Sequence, residues 1–140
     1  MRDLLLDTGP LVAFLNRPDR HHAWAKQAWQ QAAVPLTTCE AVISEAMFLL
    51  RALPGAQMAV LELIARGVVR IEPVLVDNVR DVRVVMKKYA NLPTSLADAC
   101  LVCLADRRPK AAVMTLASEF SVYRRRDGHA IEVVRPEAGG

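Results

Sequence analysis

The sequence predicts an α/β protein, a three-layer α/β/α sandwich around a central, mostly parallel sheet. Short runs that are wholly apolar or alternate recur along the 140 residues. Longer stretches with helical spacing separate them, and Pro, Gly or a capping residue marks most of the junctions. Strands that alternate with helices imply a parallel sheet covered on both faces.

Leu4-Leu5-Leu6 has no polar position, as suits a strand buried on both faces. Asp7-Thr8-Gly9-Pro10 breaks the run, and Pro10 fits the first residue of a helix, where its missing N–H would be unpaired anyway. That helix passes through Phe14 and Leu15 and ends near Asn16-Arg17-Pro18. A second helix takes residues 20–33, with Ala23, Trp24, Ala28 and Trp29 among its apolar positions. Pro35-Leu36-Thr37 is a short strand. Thr37 and Glu40 form a capping-box pattern that opens a helix to about Arg51, which Leu53-Pro54-Gly55 stops. Gln57 to Arg66 is helical and Gly67 ends it. Val68 to Val74 is a strand, residues 76–90 are helical, and Leu92-Pro93 closes that segment. Thr94 or Ser95 caps a helix reaching Asp106; Ala111 to Thr115 and Ala130 to Val134 are the last two strands.

The length fits one domain, residues 1–136, with a loose tail from Glu137 to Gly140. Three cysteines, two of them on one helix, argue against a secreted disulfide framework and for a reducing compartment. No apolar run approaches a membrane span and no leader pattern opens the chain, so a cytoplasmic protein is expected. A net charge of +3 suits a polyanionic partner, although many proteins with no such partner share that excess.

Three acids draw the functional reading. Asp7 ends the first buried strand, on the sheet edge where ligands bind in open α/β folds; it is equally suited to cap the helix that follows. Glu45 has Ala41, Val42, Phe48 and Leu49 three and four residues away, which predicts a carboxylate facing the interior. There it needs a cation, a hydrogen-bond partner or a proton, or an ion pair with an arginine such as Arg51. Asp98 lies one turn into a helix behind Ser95, which reads either as a capping-box acid that favours the helix dipole or as a carboxylate aimed by the helix N-terminus at the sheet edge of Asp7. Converging carboxylates repel, and a hard cation such as Mg²⁺ or Mn²⁺ holds them best.

Four segments carry a family likeness: Leu5-Leu6-Asp7-Thr8-Gly9-Pro10-Leu11, Val42-Ile43-Ser44-Glu45, Ser95-Leu96-Ala97-Asp98-Ala99, and Met114-Thr115-Leu116-Ala117-Ser118-Glu119-Phe120 with Val122-Tyr123-Arg124-Arg125. On these the chain resembles PIN-domain nucleases, and specifically the VapC toxins of bacterial toxin–antitoxin pairs, over nearly its whole length. The resemblance implies a PIN-like fold and metal-assisted hydrolysis of RNA phosphodiesters. Asp7, Glu45 and Asp98 would be the catalytic ligands of Mg²⁺ or Mn²⁺, with Thr8 and Ser95 in support. It also implies a homodimer and an antitoxin partner seated in a groove, for which the apolar Ala41 to Leu53 and Gln57 to Ile64 are candidates. The chain departs from the pattern at Ala117, where family members usually carry Asp. Glu119 or Ser118 supplies the missing oxygen, the enzyme is weakened, or Ala117 is a silencing substitution. The rival reading is a non-catalytic PIN-like protein that binds RNA or a partner.

Among the other features, Cys100-x-x-Cys103 lacks the second pair a zinc site needs and reads as buried small residues. His21-His22 point in different directions on a helix and read as surface or packing residues. Arg80, Arg83, Lys87 and Lys88 are explained as solvated helix surface. Arg124, Arg125 and Arg126, just past the fourth segment, are the candidate contacts for RNA phosphates. Gly9 stands where an aspartyl-nucleophile phosphatase would need a second acid, and no phosphate-cradling glycine loop is present.

Overall fold

Three successive leucines leave no polar face, and β1 (Leu4–Leu6) accordingly occupies the middle of the sheet with all three side chains buried. In the computed structural model, which describes residues 2–137, β2 (Leu36–Thr38) and then β3 (Val69–Ile71) lie on one side of β1. On the other side lie β4 (Ala112–Met114) and β5 (Val133–Val134), and all four pairings are parallel. Ala138 to Gly140, most of the expected tail, lie outside the described residues.

The first three crossovers are α-helical, with α1 (Thr8–Leu15) and α2 (His22–Gln30), α3 (Glu40–Leu49) and α4 (Ala56–Ala65), and α5 (Leu75–Lys88) and α6 (Leu96–Arg107), while a 3₁₀ turn (Ser118–Ser121) lies between β4 and β5. Side chains alternate across β1. Leu4 and Leu6 enter a core with Leu11 of α1, Trp29 of α2, Ile43 of α3 and Val60 of α4. Leu5 enters the opposite core with Val82 of α5, Leu101 and Leu104 of α6, and Phe120 and Tyr123 beyond β4. This is the expected three-layer sandwich, and each core fills one face of the sheet. Among the described residues no helix is long and apolar enough to cross a membrane.

Three local expectations are corrected. The first helix begins at Thr8, so Pro10 is its third residue; the missing N–H still falls among the unpaired donors of a first turn. The capping box at Thr37 and Glu40 does not form, because Thr37 is buried inside β2 and α3 starts directly after Cys39 with no side-chain cap. The third strand is held to Val69–Ile71, since β2, its only partner among the described residues, is itself three residues long.

The strand order 3-2-1-4-5 reverses direction between β1 and β4. A crevice opens outside the carboxyl ends of the two strands at such a reversal. Asp7 leaves β1 and Thr115 leaves β4 at that point, where the Asp7 N–H donates to the Met114 carbonyl at 3.0 Å.

Candidate active site

Asp7 is both things its position allows. As the residue before α1 it accepts the Thr8 N–H on Oδ1 at 2.8 Å, and on Oδ2 it accepts the Thr115 hydroxyl at 2.7 Å. Thr115 Oγ1 in turn accepts the Ala117 N–H at 2.9 Å, which ties the loop after β4 to the acid. Only 5 % of Asp7 is exposed. Burial pushes its carboxyl up to about 6 against the pull of the Thr115 and Thr8 donors, and Asp98 and Glu45 add a smaller push. Gly9 explains how the first turn of α1 can lie against that loop. A Cβ there would meet Leu116 Cδ1 at 3.0 Å and its Cγ at 3.2 Å.

Asp98 enters from α6, where Ser95 caps the helix by accepting the Asp98 N–H on Oγ at 3.0 Å. The half-buried carboxylate accepts the Tyr123 hydroxyl on Oδ2 at 2.9 Å. Burial raises its pKa, the Tyr123 and Ser95 donors oppose that, and Glu45 adds a like charge. Tyr123 is itself held above the ordinary phenol range, chiefly by burial, and so stays a donor.

Glu45 corrects its expectation. It is exposed, and so are Phe48 and Leu49, at 60 % and 53 %. Helix α3 buries Val42, Ile43 and Ala46 instead, and Ala41 packs partly against the core, which leaves Glu45, Phe48 and Leu49 exposed, with Glu45 and Leu49 toward the cleft. The carboxylate therefore needs no buried arginine. It lines the same cleft as Asp7 and Asp98, a hollow of about 420 Å³ shared with Thr8, Gly9, Leu49, Ser95, Leu116 and Ala117. The three acids thus come together from β1, α3 and α6, with Thr8 and Ser95 beside them.

Among the described residues no three Asp, Glu, His or Cys side chains are close enough to form a ready-made chelate. The donors nevertheless suit a hard divalent ion. All are oxygens, the like charges act on one another, and the buried hydroxyl of Thr8, a residue that lines the cleft, has no hydrogen-bond partner among the described residues. An ion such as Mg²⁺, which keeps several waters, can be held between carboxylates that do not converge on a bare cation.

Ala117 lines the cleft; Ser118 and Glu119 do not, and the Ser118 hydroxyl donates to Glu119 Oε2 at 3.0 Å. The arginine cluster is divided by the fold. Arg125 is 8 % exposed, and its guanidinium donates to the Ala105 and Ala111 carbonyls, so it is a buried tie rather than a phosphate contact. Arg124 donates to the Ser121, Val122 and Tyr123 carbonyls, and Arg126 pairs with Asp81 at 2.8 Å. Both are exposed but already engaged. Cys39, Cys100 and Cys103 are free and buried, and the His22 ring sits 2.8 Å from the Ala13 carbonyl, both as packing readings require. Thr115 and Tyr123 are the functional candidates that sequence reasoning passed over. The adjacency of β1 and β4 points to Thr115, but nothing near Tyr123 in the chain signals a partner 25 residues away.

Comparison with known proteins bears on the family and the fold. The family model described as the PIN domain matches residues 4–126. The ribonuclease VapC26 of Mycobacterium tuberculosis is 25 % identical over 139 residues, which span 98 % of this chain and 96 % of that protein. The crystal structure of M. tuberculosis VapC20, titled a sarcin-ricin loop cleaving toxin, superposes with a TM-score of 0.77 at 22 % identity, covering 86 % of this chain and 94 % of that one. With the match extending over most of its length, the chain belongs to the PIN domain family, and its likeness within that family is to the VapC type.

Proposed function

We propose that this chain is a Mg²⁺- or Mn²⁺-dependent endoribonuclease, the toxin of a toxin–antitoxin pair, acting in the cytoplasm. One observation carries the reading: Asp7, Glu45 and Asp98 line a single cleft at the reversal of strand order in a PIN-family chain. The ribonuclease name of VapC26 and the toxin title of VapC20 support it.

Asp7, Asp98 and Glu45 would hold the ion, in part through water. The bound ion supplies positive charge to the phosphate oxygens and makes water a better nucleophile at neutral pH. The chain's own residues do the rest. Thr115 and the Thr8 N–H hold Asp7 in one orientation, and Ser95 sets the start of α6 so that Asp98 faces the same cleft. Burial makes Asp7 reluctant to ionise without a cation, so ion binding and Asp7 deprotonation are coupled. The exposed apolar residues Phe48 and Leu49 of α3 and Met58 and Leu61 of α4 suit an antitoxin helix, and exposed Leu75, Val76 and Val79 of α5 suit a second copy of the chain.

A second reading, a PIN protein that binds RNA without cutting it, is favoured by the Ala117 methyl lining the cleft. Digestion of RNA with Mg²⁺, with EDTA, and with Ala117→Asp separates the two. Mg²⁺-dependent cleavage by the natural sequence supports the nuclease; cleavage that appears only in Ala117→Asp shows a disabled one. No cleavage by either protein overturns the nuclease reading.

A further inference from the structure

Tyr123 is wholly buried, and its ring makes edge-on contacts with Tyr89 at 4.9 Å and Phe120 at 5.0 Å between centroids. A phenylalanine would satisfy all of that packing, so the hydroxyl needs its own explanation. It lies 2.9 Å from Asp98 Oδ2 and 3.0 Å from Thr94 Oγ1. A carboxylate can only accept, so the single phenolic proton serves Asp98, while the Thr94 hydroxyl, 3.0 Å from the phenolic oxygen, also has the Tyr89 carbonyl as an acceptor at 3.3 Å. Asp98 Oδ1 has no side-chain or backbone donor among the described residues.

We propose that Tyr123 is a positioning residue for Asp98: from the protein side it fixes the rotation of the carboxylate and reserves Oδ1 for a divalent ion in the cleft. The inference rests on the metal-dependent reading above. Hydrogen-bond partners behind a metal ligand hold its orientation, and their loss commonly weakens the ion by ten- to a hundredfold. Tyr89 offers an internal control. Its hydroxyl belongs to the same aromatic cluster and accepts the Arg124 N–H at 2.8 Å, but among the described residues no hydrogen bond joins it to an acid of the cleft.

The test titrates RNA-free protein with Mn²⁺ alone by calorimetry and measures RNA cleavage across a range of Mg²⁺. Tyr123→Phe is expected to weaken Mn²⁺ by about tenfold and to raise the half-saturating Mg²⁺ by a similar factor, with kcat at saturating Mg²⁺ within about threefold of the parent. Tyr89→Phe, and Thr94→Val, which spares the bond to Asp98, should bind Mn²⁺ within about twofold of the parent. The proposal is overturned if Tyr123→Phe binds Mn²⁺ as the parent does, or if Tyr89→Phe loses as much. Asp98→Asn keeps the two readings apart. If it abolishes binding while Tyr123→Phe does not, only the role of Tyr123 falls; if it binds as tightly as the parent, the metal site falls with it.

Discussion

Replacing Asp7 by Asn should stabilise the ion-free protein while destroying its activity. Burial holds the Asp7 carboxyl at about 6 against an ordinary 3.8, so keeping it charged at neutral pH costs the fold about 3 kcal/mol. Between those two values the folded chain binds more protons than the unfolded one, and stability therefore falls as pH rises from about 4 to about 6. The cost is complete above that window and shrinks to about 1 kcal/mol at pH 4.5. An Asn can still accept the Thr8 N–H, but its amide cannot accept the Thr115 hydroxyl, which returns about 1 kcal/mol of the gain. The net expectation in EDTA at pH 7.5 is a gain of about 1–2 kcal/mol, or roughly 3–6 °C in Tm for a chain of this size. Thermal melts at pH 7.5 and 4.5 read it: the gap should close at the lower pH, and Mg²⁺ should raise the Tm of the parent but not of the variant. An Asp7→Asn protein that melts below the parent at pH 7.5, or a gap that ignores pH, would show that Asp7 is not a strained buried carboxylate.

Arg125→Ala strands the Ala105 and Ala111 carbonyls and should cost about 2–4 kcal/mol in a denaturant melt, while folded protein binds RNA as the parent does; selective loss of RNA affinity would restore a phosphate role. Glu45→Gln, on an exposed position, should change stability by less than about 0.5 kcal/mol yet lower Mg²⁺-dependent cleavage at least tenfold, and unchanged cleavage would remove Glu45 from the site. Gly9→Ala should cost about 1–2 kcal/mol by crowding Leu116, and the cost should shrink in a Leu116→Ala background when both are compared by chemical denaturation.

The layered fold could be read because β1 is apolar at every position and Pro, Gly or a capping-type residue marks most of the junctions between helices and strands. Patterns of this kind are local and survive without knowledge of partners. What failed was inference from local pattern to burial. Glu45 has apolar neighbours on its own stripe, but α3 has a second apolar stripe, Val42, Ile43 and Ala46, and that one faces the core. Of Glu45's neighbours, Val42 belongs to that core-facing stripe, while Phe48 and Leu49 are left on the surface. Arg125 failed in the same way, since nothing in a run of three arginines marks the middle one as the buried tie. Asp7 and Asp98 were ambiguous in the sequence for the opposite reason. Asp7 suits the cap of α1, and Asp98 the first turn of a helix capped by Ser95, as well as either suits a crevice, so the family likeness carried most of their weight. The donors that orient them, Thr115 and Tyr123, come from distant segments and become visible only once β4 lies beside β1.

The most direct test is an anomalous diffraction map from a crystal of the protein soaked in Mn²⁺. A peak in the cleft within coordination distance of the Asp7 or Asp98 carboxylate, absent from Asp7→Asn crystals, is the predicted result. A map empty at that cleft, or a peak at another acidic group such as Asp81 and Asp106 instead, would contradict it.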